Sequence, residues 1–488
     1  MIRRNCIPMA AAVAVLLIAA GNGRAGSAEP TTAELLRRIE ALEKELADIK
    51  RDAGTGDRAA PQPVAPARAS RVVARPADPA EPVAGEAAVA AKPAAPLAGY
   101  KDGFFLSSAD GAHKLRVGGY VQADGRFFVD DGPSGDTDQF TIRRARLEIR
   151  GTVASRFGLR LSPDFAGSKL TLQNAYLDAD FASWLGLRAG KFKTPFGIER
   201  LQSASELLFI ERGLPDNLVP NRDIGLQVSG DIAGGALSYA AAVLNGTVDG
   251  ASSEGDVNDA VDLAVRLFAK PYSTKMYSPL RGAGFGIAAT WGREQGTPSS
   301  PELPQYRTSA RSTFFRYLSD GTAAGTTLAD GDRWRVSPQA AWYEGPFSLL
   351  TEYVRSAQEL RRDEVRNWIA NEAWQLRVSW LLTGEQAQYK GGVTPAAPFD
   401  FGGGHWGAWE VALRYAALDV DGEAFSAGFA DPTSAVRHAD AIAAAINWYL
   451  NRNVGFYFNF EHTNFSGGAP AGDRDDEDAF LTRMQIAF

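Results

Sequence analysis

Arginine side chains recur with a two-residue period near the centre of the stretch from Thr141 to Arg150, which reads TIRRARLEIR. In a β-strand, alternate side chains point to opposite faces. Arg144, Arg146 and Arg150 then share one face with Glu148, while the other face is apolar. Guanidinium groups stay protonated and offer paired donors to oxyanions, so this face could bind anions.

The same alternation recurs along the chain and predicts strands with one apolar and one polar face. It is found at 113–128, at 374–382 and at 409–415. No long apolar segment follows Ala20, which excludes helical membrane spans. The fold class expected is all-β: a closed transmembrane antiparallel β-barrel with lipid outside and a water-filled lumen inside, rather than a soluble sheet.

The end of the chain supports the same interpretation. Phe480, Met484, Ile486 and Phe488 alternate on the final strand, and the sequence stops on Phe488. A terminal aromatic residue on an amphipathic last strand resembles the signal that outer-membrane assembly machinery reads. An ordinary C-terminal edge strand would instead leave an unprotected edge.

Three segments precede the predicted barrel. Residues 1–28 combine a basic start, a short apolar core and small residues, which is typical of a signal peptide. Residues 29–52 carry Leu and Ile at heptad positions and predict a short coiled-coil helix, with a free amphipathic helix as the alternative. Residues 53–98 are rich in Ala and Pro and predict a disordered linker. Residues 99–488 have room for roughly 14 to 18 membrane strands.

Composition limits the other function classes. The net charge of −7 argues against nucleic-acid binding, and the single cysteine, Cys6, lies inside the predicted signal peptide. The four histidines are far apart in sequence, and no HExxH or GxSxG motif is present. We therefore expect no enzyme activity, no cofactor and no metal site.

Several longer stretches resemble one known family, the phosphate-selective porins O and P. These are sixteen-stranded, trimeric channels of the bacterial outer membrane. The resemblance extends over essentially all of residues 99–488. The matching stretches are GGYVQADGRFF from Gly118, IRRARLEIRG from Ile142, GKFKTPFGIERLQS from Gly190, IERGLPDNLVPNRDIGLQVSG from Ile210, LTGEQAQYKGG from Leu382, GAWEVALRY from Gly407, INWYLNRNVGFY from Ile446, and the terminal Phe488.

The resemblance implies a channel for small anions, such as phosphate or related oxyanions, with a constriction made by a strand arginine pair and an inward-folded third loop. It implies that this loop begins at about Lys191 and runs to Arg222. The constriction residues implied are Arg143, Arg144, Asp164, Arg200 and Ser203. An arginine ladder leading to them has Arg307, Arg311 and Arg316 as candidates.

Two departures from the family pattern concern selectivity. Phosphate-selective members place tyrosines around the constriction, and the matching positions here are Arg146 and Lys193. The second basic residue of the family's third loop has no clear counterpart near Ser205. The predicted constriction is cationic but chemically different from that of the phosphate-selective members.

A weakly selective general diffusion porin stays open as the alternative. Such porins oppose a wall of arginines with acids on the third loop, and that loop here contains four acids: Glu199, Glu206, Glu211 and Asp216. In that alternative the N-terminal segment would act as a periplasmic tether. The partners expected are small phosphate-like anions, outer-membrane lipid and lipopolysaccharide, and two further copies of the chain in a homotrimer. A peptidoglycan contact through the N-terminal segment in the periplasm is a further hypothesis.

Overall fold

The computed structural model describes residues 97–129, 137–255, 259–273 and 278–488. In this part of the chain sixteen antiparallel strands close into a barrel, because the last strand pairs with the first. The barrel predicted from the alternation is therefore confirmed, with the sixteen strands that the resemblance implies. In chain order they are β1 Lys114–Phe128, β2 Gln139–Val153, β3 Phe157–Asp164, β4 Thr171–Ala182, β5 Leu185–Lys193, β6 Arg222–Ile232, β7 Leu237–Leu244, β8 Asp262–Ala269, β9 Ala283–Gln295, β10 Leu328–Glu344, β11 Phe347–Arg362, β12 Val365–Leu381, β13 Ala408–Asp419, β14 Val436–Tyr449, β15 Val454–Ala469 and β16 Glu477–Ala487.

The N-terminal predictions fall mostly on residues that the structure does not describe. The signal peptide, the coiled-coil helix and the linker up to residue 96 lie outside the described residues. The described chain begins with a small hairpin of two strands, Ala98–Tyr100 and Phe104–Ser107. Its second strand pairs with the start of β1, where Phe104 lies opposite Val117.

The period-two pattern sorts side chains between lipid and lumen. On β12, Trp374 and Trp380 face outward and are 41% and 47% exposed, whereas Gln375 and Arg377 face inward and are buried. Each apolar side chain left in lipid and each polar side chain turned inward stabilises the same register, because a one-residue slip would exchange the two faces.

The aromatic residues near the strand ends behave in two ways. Trp409 and Trp448 stack with ring centroids 5.3 Å apart on the outer face, as expected of an interfacial girdle. Tyr449 faces the lumen instead, and its hydroxyl donates to Glu410 at 2.7 Å. Tyr343 likewise faces inward, with its hydroxyl 3.5 Å from Arg377 Nη2. Each tyrosine directly follows an outward-facing tryptophan in the sequence. Because side chains alternate along a strand, the tyrosine points inward.

The two ends of the barrel differ. At one end, called the turn end below, five of the seven connections are short, such as 183–184 and 345–346. Phe488 and the N-terminal hairpin also lie there. The opposite end, called the loop end, carries longer connections. In outer-membrane barrels the short turns face the periplasm.

Long connections from both ends fold into the lumen. From the loop end come the third loop, residues 194–221, and the fifth loop, residues 296–327. From the turn end comes the connection 382–407, whose Tyr389 hydroxyl donates to the Ile198 carbonyl at 2.6 Å. The short elements outside the barrel wall are α1 Ile198–Leu201, α2 Glu423–Ser426, the 3₁₀ helices Leu214–Leu218 and Ala233–Gly235, and the strands Gln305–Arg307, Thr313–Arg316 and Gly472–Asp473.

An apolar cluster holds the third and fifth loops together inside the barrel. Leu214 and Leu218 of the third loop pack in one buried cluster with Tyr306, Phe314 and Phe315 of the fifth loop. All five are no more than 2% exposed. This cluster fills part of the lumen on the side of β11 to β15.

Candidate anion pathway

A β-bulge at Arg143 turns two consecutive arginines into the lumen. In the pairing of β1 with β2, Gln122 lies opposite Arg144 and Ala123 lies opposite Ile142, so Arg143 has no partner residue. A bulge of this kind lets neighbouring side chains leave the strict alternation. The simple period would have sent Arg143 toward lipid.

Both arginines meet Glu211 of the third loop. Arg143 donates through Nε to Glu211 Oε1 at 2.5 Å and through Nη2 to Glu211 Oε2 at 3.2 Å. Arg144 Nη2 lies 3.4 Å from Glu211 Oε2, and its Nη1 donates to Gln122 at 2.8 Å. Burial disfavours the charged carboxylate, but Arg143 and Arg144 outweigh burial and keep the pKa of Glu211 well below its usual range.

A third arginine completes this cluster from β16. Arg483 forms two 2.7 Å hydrogen bonds with Asp124 of β1, and its Nη2 lies 3.8 Å from Glu211 Oε1. Three guanidinium groups therefore share two carboxylates. The cluster keeps a net positive charge, but each arginine already has an acidic neighbour.

The next inward arginine on β2 is also paired. Arg146 donates through Nε to Asp164 Oδ2 at 2.6 Å and through Nη1 to the Tyr120 hydroxyl at 2.8 Å. Asp164 also accepts the backbone N–H of Ala145 at 3.1 Å. The acid that the resemblance placed in the constriction is therefore a direct partner of the position where the family's phosphate-selective members have tyrosine.

Arg200 lies within the third loop rather than in open space. It is 8% exposed, and its Nη2 is 2.5 Å from Asp216 Oδ2. Burial lowers the pKa of Arg200 to about 10, so it is still charged at neutral pH. This pair braces one part of the loop against another.

Lys193 and Ser203 stand at the end of α1. Lys193 Nζ donates to the Gln202 carbonyl at 2.6 Å, close to the C-terminus of this short helix. The Ser203 hydroxyl lies 2.9 Å from that of Ser205. Both Lys193 and Ser203 line the large lumen cavity.

The three ladder candidates separate in the structure. Arg311 lies at the tip of the fifth-loop hairpin with a positive φ of 70°, and burial together with the charge of Arg143 lowers its pKa to about 10. Arg307 is held by its backbone, which exchanges hydrogen bonds with Asn217 of the third loop. Arg316 is exposed on the hairpin. Of the three, Arg311 is the one whose charge acts directly on the Arg143 and Glu211 cluster.

A cavity of about 800 Å³ opens on the turn-end side of these loops. Its described lining contains eleven arginine and lysine side chains but only four aspartate and glutamate side chains. Several of the arginines are paired: Arg188 forms a two-bond pair with Asp178 and lies 4.0 Å over the Tyr176 ring, and Arg160 Nη2 is 2.7 Å from Glu148.

Five of the lining cations have no acidic partner among the described residues. Arg222 donates to the amide oxygens of Asn174 and Asn221 at 3.2 and 3.0 Å. Arg266 donates to Gln339 at 3.1 Å and lies 4.8 Å over the Phe268 ring. The others are Arg116, Lys193 and Lys390. For Arg222, Arg266 and Lys193, neutral partners orient the group without cancelling its charge.

Sequence reasoning missed most of this set. Only Lys193 was expected at the constriction, and Arg116 falls in the alternating stretch 113–128. Arg266 could have been found, because it takes an inward position on its strand. Arg222 shares its parity with the outward Leu226 and Val228, so the alternation points it toward lipid. Lys390 lies in a turn-end connection, where no periodic pattern indicates that the chain folds back into the barrel.

Comparisons with known proteins agree with this architecture. A family model described as phosphate-selective porin O and P matches residues 115–488. Porin O of Pseudomonas aeruginosa is 26% identical over 426 residues, which covers 80% of this chain and 91% of that protein. The outer membrane channel DcaP of Acinetobacter baumannii has a similar fold, with a TM-score of 0.51 at 11% identity over 78% of this chain and 99% of that one.

Proposed function

We propose that this chain, which belongs to the phosphate-selective porin O and P family and lies in the bacterial outer membrane, carries small anions passively through its lumen. The observation that supports this best is the excess of uncompensated cations in the lumen cavity. Arg116, Lys193, Arg222, Arg266 and Lys390 face one space without an acidic partner among the described residues.

An anion gains from such a cavity because the barrel wall has a low dielectric constant. Charges lining a narrow aqueous space focus the electric field and raise the local concentration of counter-ions. Over about 10 Å, the screening length at 0.1 M salt, several fixed cations act on the same permeating ion. A cation is repelled over the same distance.

The paired arginines contribute to permeation in a different way. An ion in a narrow pore loses part of its hydration shell, which is costly unless fixed groups replace it. Arg143 and Arg144 supply guanidinium donors for this, and Arg311 extends them toward the loop end. Conduction also needs weak binding, so a series of modest sites is more effective than one deep site.

We do not assign strict phosphate selectivity to the pore. Arg146 forms an ion pair with Asp164, and Lys193 donates hydrogen bonds to backbone carbonyls. A lysine also acts as a point charge with less geometric discrimination than a guanidinium fork. Small anions in general, with phosphate-like oxyanions among them, are the substrates that this arrangement supports.

A weakly selective general diffusion porin is the second candidate. The pairing of all four predicted constriction arginines with carboxylates favours it: Arg143 and Arg144 with Glu211, Arg146 with Asp164, and Arg200 with Asp216. If those pairs alone set the field in the pore, the preference for anions would be small.

The partners belong to the same proposal. A homotrimer is supported by the family and by the continuous apolar outer face of the barrel, which also suits lipid and lipopolysaccharide. The N-terminal segment would tether the barrel to the periplasm or to peptidoglycan. Deleting residues 29–98 tests the tether: association with the cell wall should fall, while single-channel conductance should be unchanged.

The experiment for the proposed function is the reversal potential of purified protein in a planar bilayer under a potassium chloride gradient, with and without added phosphate. An anion-selective potential is expected, with partial block by phosphate. A potential near zero would favour the general diffusion porin, and a cation-selective potential would contradict both the cavity argument and the arginine ladder.

A further inference from the structure

We propose that the Glu211 carboxylate competes with the permeating anion. It occupies the Arg143 and Arg144 guanidinium groups and thereby sets how weakly this pair binds an incoming ion. This inference rests on the proposed anion-channel function and concerns the same pore. It assigns the specificity-determining role to an acid of the third loop, in addition to the arginines.

The geometry of Glu211 is that of a bound carboxylate ligand. Its two oxygens accept from Nε and Nη2 of Arg143 at 2.5 and 3.2 Å, which is the two-bond arrangement typical of guanidinium with a carboxylate or phosphate. Arg144 approaches the same oxygen, Oε2, at 3.4 Å. A permeating oxyanion would need the same donors and must displace or share them.

The barrel wall holds the backbone on both sides of this carboxylate. The Ile210 N–H donates to Asn459 Oδ1 at 2.7 Å, and Arg414 Nη1 donates to the Glu211 carbonyl at 2.9 Å. Further along, the Gly213 N–H donates to Glu199 Oε2 at 3.1 Å. A ligand tethered in this way acts at a high effective concentration, so it competes strongly with an ion from solution.

No other described acid is positioned to replace it at the arginine pair. Asp124 is engaged by two hydrogen bonds from Arg483, and Asp164 is engaged by Arg146. Neutralising Glu211 would therefore leave Arg143 and Arg144 with vacant donors and full charge. Because release is required for conduction, an internal carboxylate that weakens binding at this point favours flux.

The test compares Glu211→Gln with the wild type and with Glu206→Gln. Glutamine keeps the length of the side chain and an amide oxygen for Arg143, but removes the charge. Glu206 lies on the same loop and lines the cavity, yet it forms no ion pair with any described residue, so its variant removes the same charge elsewhere in the pore. The measurement is the phosphate concentration that halves the chloride current.

For Glu211→Gln we expect half-block at a phosphate concentration about tenfold lower than in the wild type. This corresponds to about 1.4 kcal/mol of phosphate binding free energy that is gained when the competing carboxylate is removed. Glu206→Gln should shift half-block by less than about twofold. Equal shifts in both variants, or an unchanged value in Glu211→Gln, would overturn the inference even if all three proteins prefer anions. The absence of anion preference in all three would instead overturn the proposed function, and the inference with it.

A second variant covers the case in which Glu211→Gln gives no channels. Glu211→Asp keeps the charge but withdraws the carboxylate by one methylene, so contact with Arg143 should weaken. The phosphate concentration for half-block should then also be lower than in the wild type, but by a smaller factor than in Glu211→Gln. A value equal to that of the wild type, or higher, would overturn the inference.

Discussion

Arg377 Nη1 donates to Glu199 Oε1 at 2.7 Å and so connects β12 of the barrel wall to the helix α1 of the third loop. The side chains of both residues are no more than 3% exposed. Glu199 also accepts from Gln375 at 2.8 Å through its other oxygen. The third loop thus keeps its inward position partly because a buried ion pair anchors its start.

Removing the cation of this pair should loosen the loop. Arg377→Gln leaves Glu199 buried without its ion-pair partner, and breaking a buried pair in this way costs about 3–5 kcal/mol. We expect a lower unfolding temperature of the barrel in semi-native electrophoresis and a larger single-channel conductance. The matched control is Arg355→Gln, since the Arg355 and Glu372 side chains are 42% and 37% exposed and such pairs contribute about 0–1 kcal/mol. Equal effects in both variants would contradict this role for Glu199.

The depressed pKa of Glu211 predicts a particular pH dependence of stability. Burial opposes the ionised form of Glu211, but Arg143 and Arg144 stabilise it. The pKa of Glu211 therefore lies well below 4.5 in the folded barrel. Its contribution is therefore complete above the unfolded value of about 4.5 and decreases as the pH falls toward the folded pKa. The difference in unfolding temperature between the wild type and Glu211→Gln should stay constant from pH 7 to 5 and shrink only in more acidic solution. A difference that already decays between pH 7 and 5 would show that the pKa is raised.

Gly190 on β5 should tolerate no side chain. Its φ is 122°, and a Cβ there would lie 2.2 Å from the Ala175 carbonyl oxygen of the neighbouring strand. A non-glycine residue in such a conformation costs about 1–3 kcal/mol before the clash is counted. Gly190→Ala should lower the yield of folded barrel, whereas Gly422→Ala, at a φ of −57° with no atom within 4 Å, should not. Normal folding of Gly190→Ala would show that β5 can shift away from β4.

The sequence was sufficient for the barrel because its signals are local and repeated. Alternation placed Arg144 and Arg146 in the lumen, and the terminal Phe488 marked the last strand. A bulge is not local in this sense: Arg143 turns inward because β1 offers no residue opposite it. Only the family resemblance, which treats Arg143 and Arg144 as a pair, pointed to that outcome.

The charge balance of the site could not be read in the same way. Arg200 has the right residue type for a constriction, but its contact with Asp216 depends on how the third loop folds on itself. Glu211 counted as one of four loop acids in the sequence, and nothing there distinguished it from Glu206. Three-dimensional pairing decides which acid cancels an arginine and which faces water, and that pairing joins residues far apart in the chain.

The proposed anion preference rests mainly on the cations without acidic partners, and two of them can be removed together. In Arg222→Gln/Arg266→Gln both side chains keep hydrogen-bonding capacity for Asn174 and Gln339 while two charges leave the cavity. The control, Arg293→Gln/Arg366→Gln, removes two charges from arginines on the outer face that are 71% and 55% exposed. Both double variants change the net charge of the protein equally.

The measurement is the reversal potential of these three proteins in a planar bilayer under the same potassium chloride gradient. We predict an anion-selective potential for the wild type and for the outer-face variant. In the cavity variant the ratio of anion to cation permeability should fall by about half or more, because the field in the lumen loses two of its sources. An unchanged ratio in the cavity variant, or a wild-type potential that is near zero or cation-selective, would contradict the proposed role of these cations in anion preference.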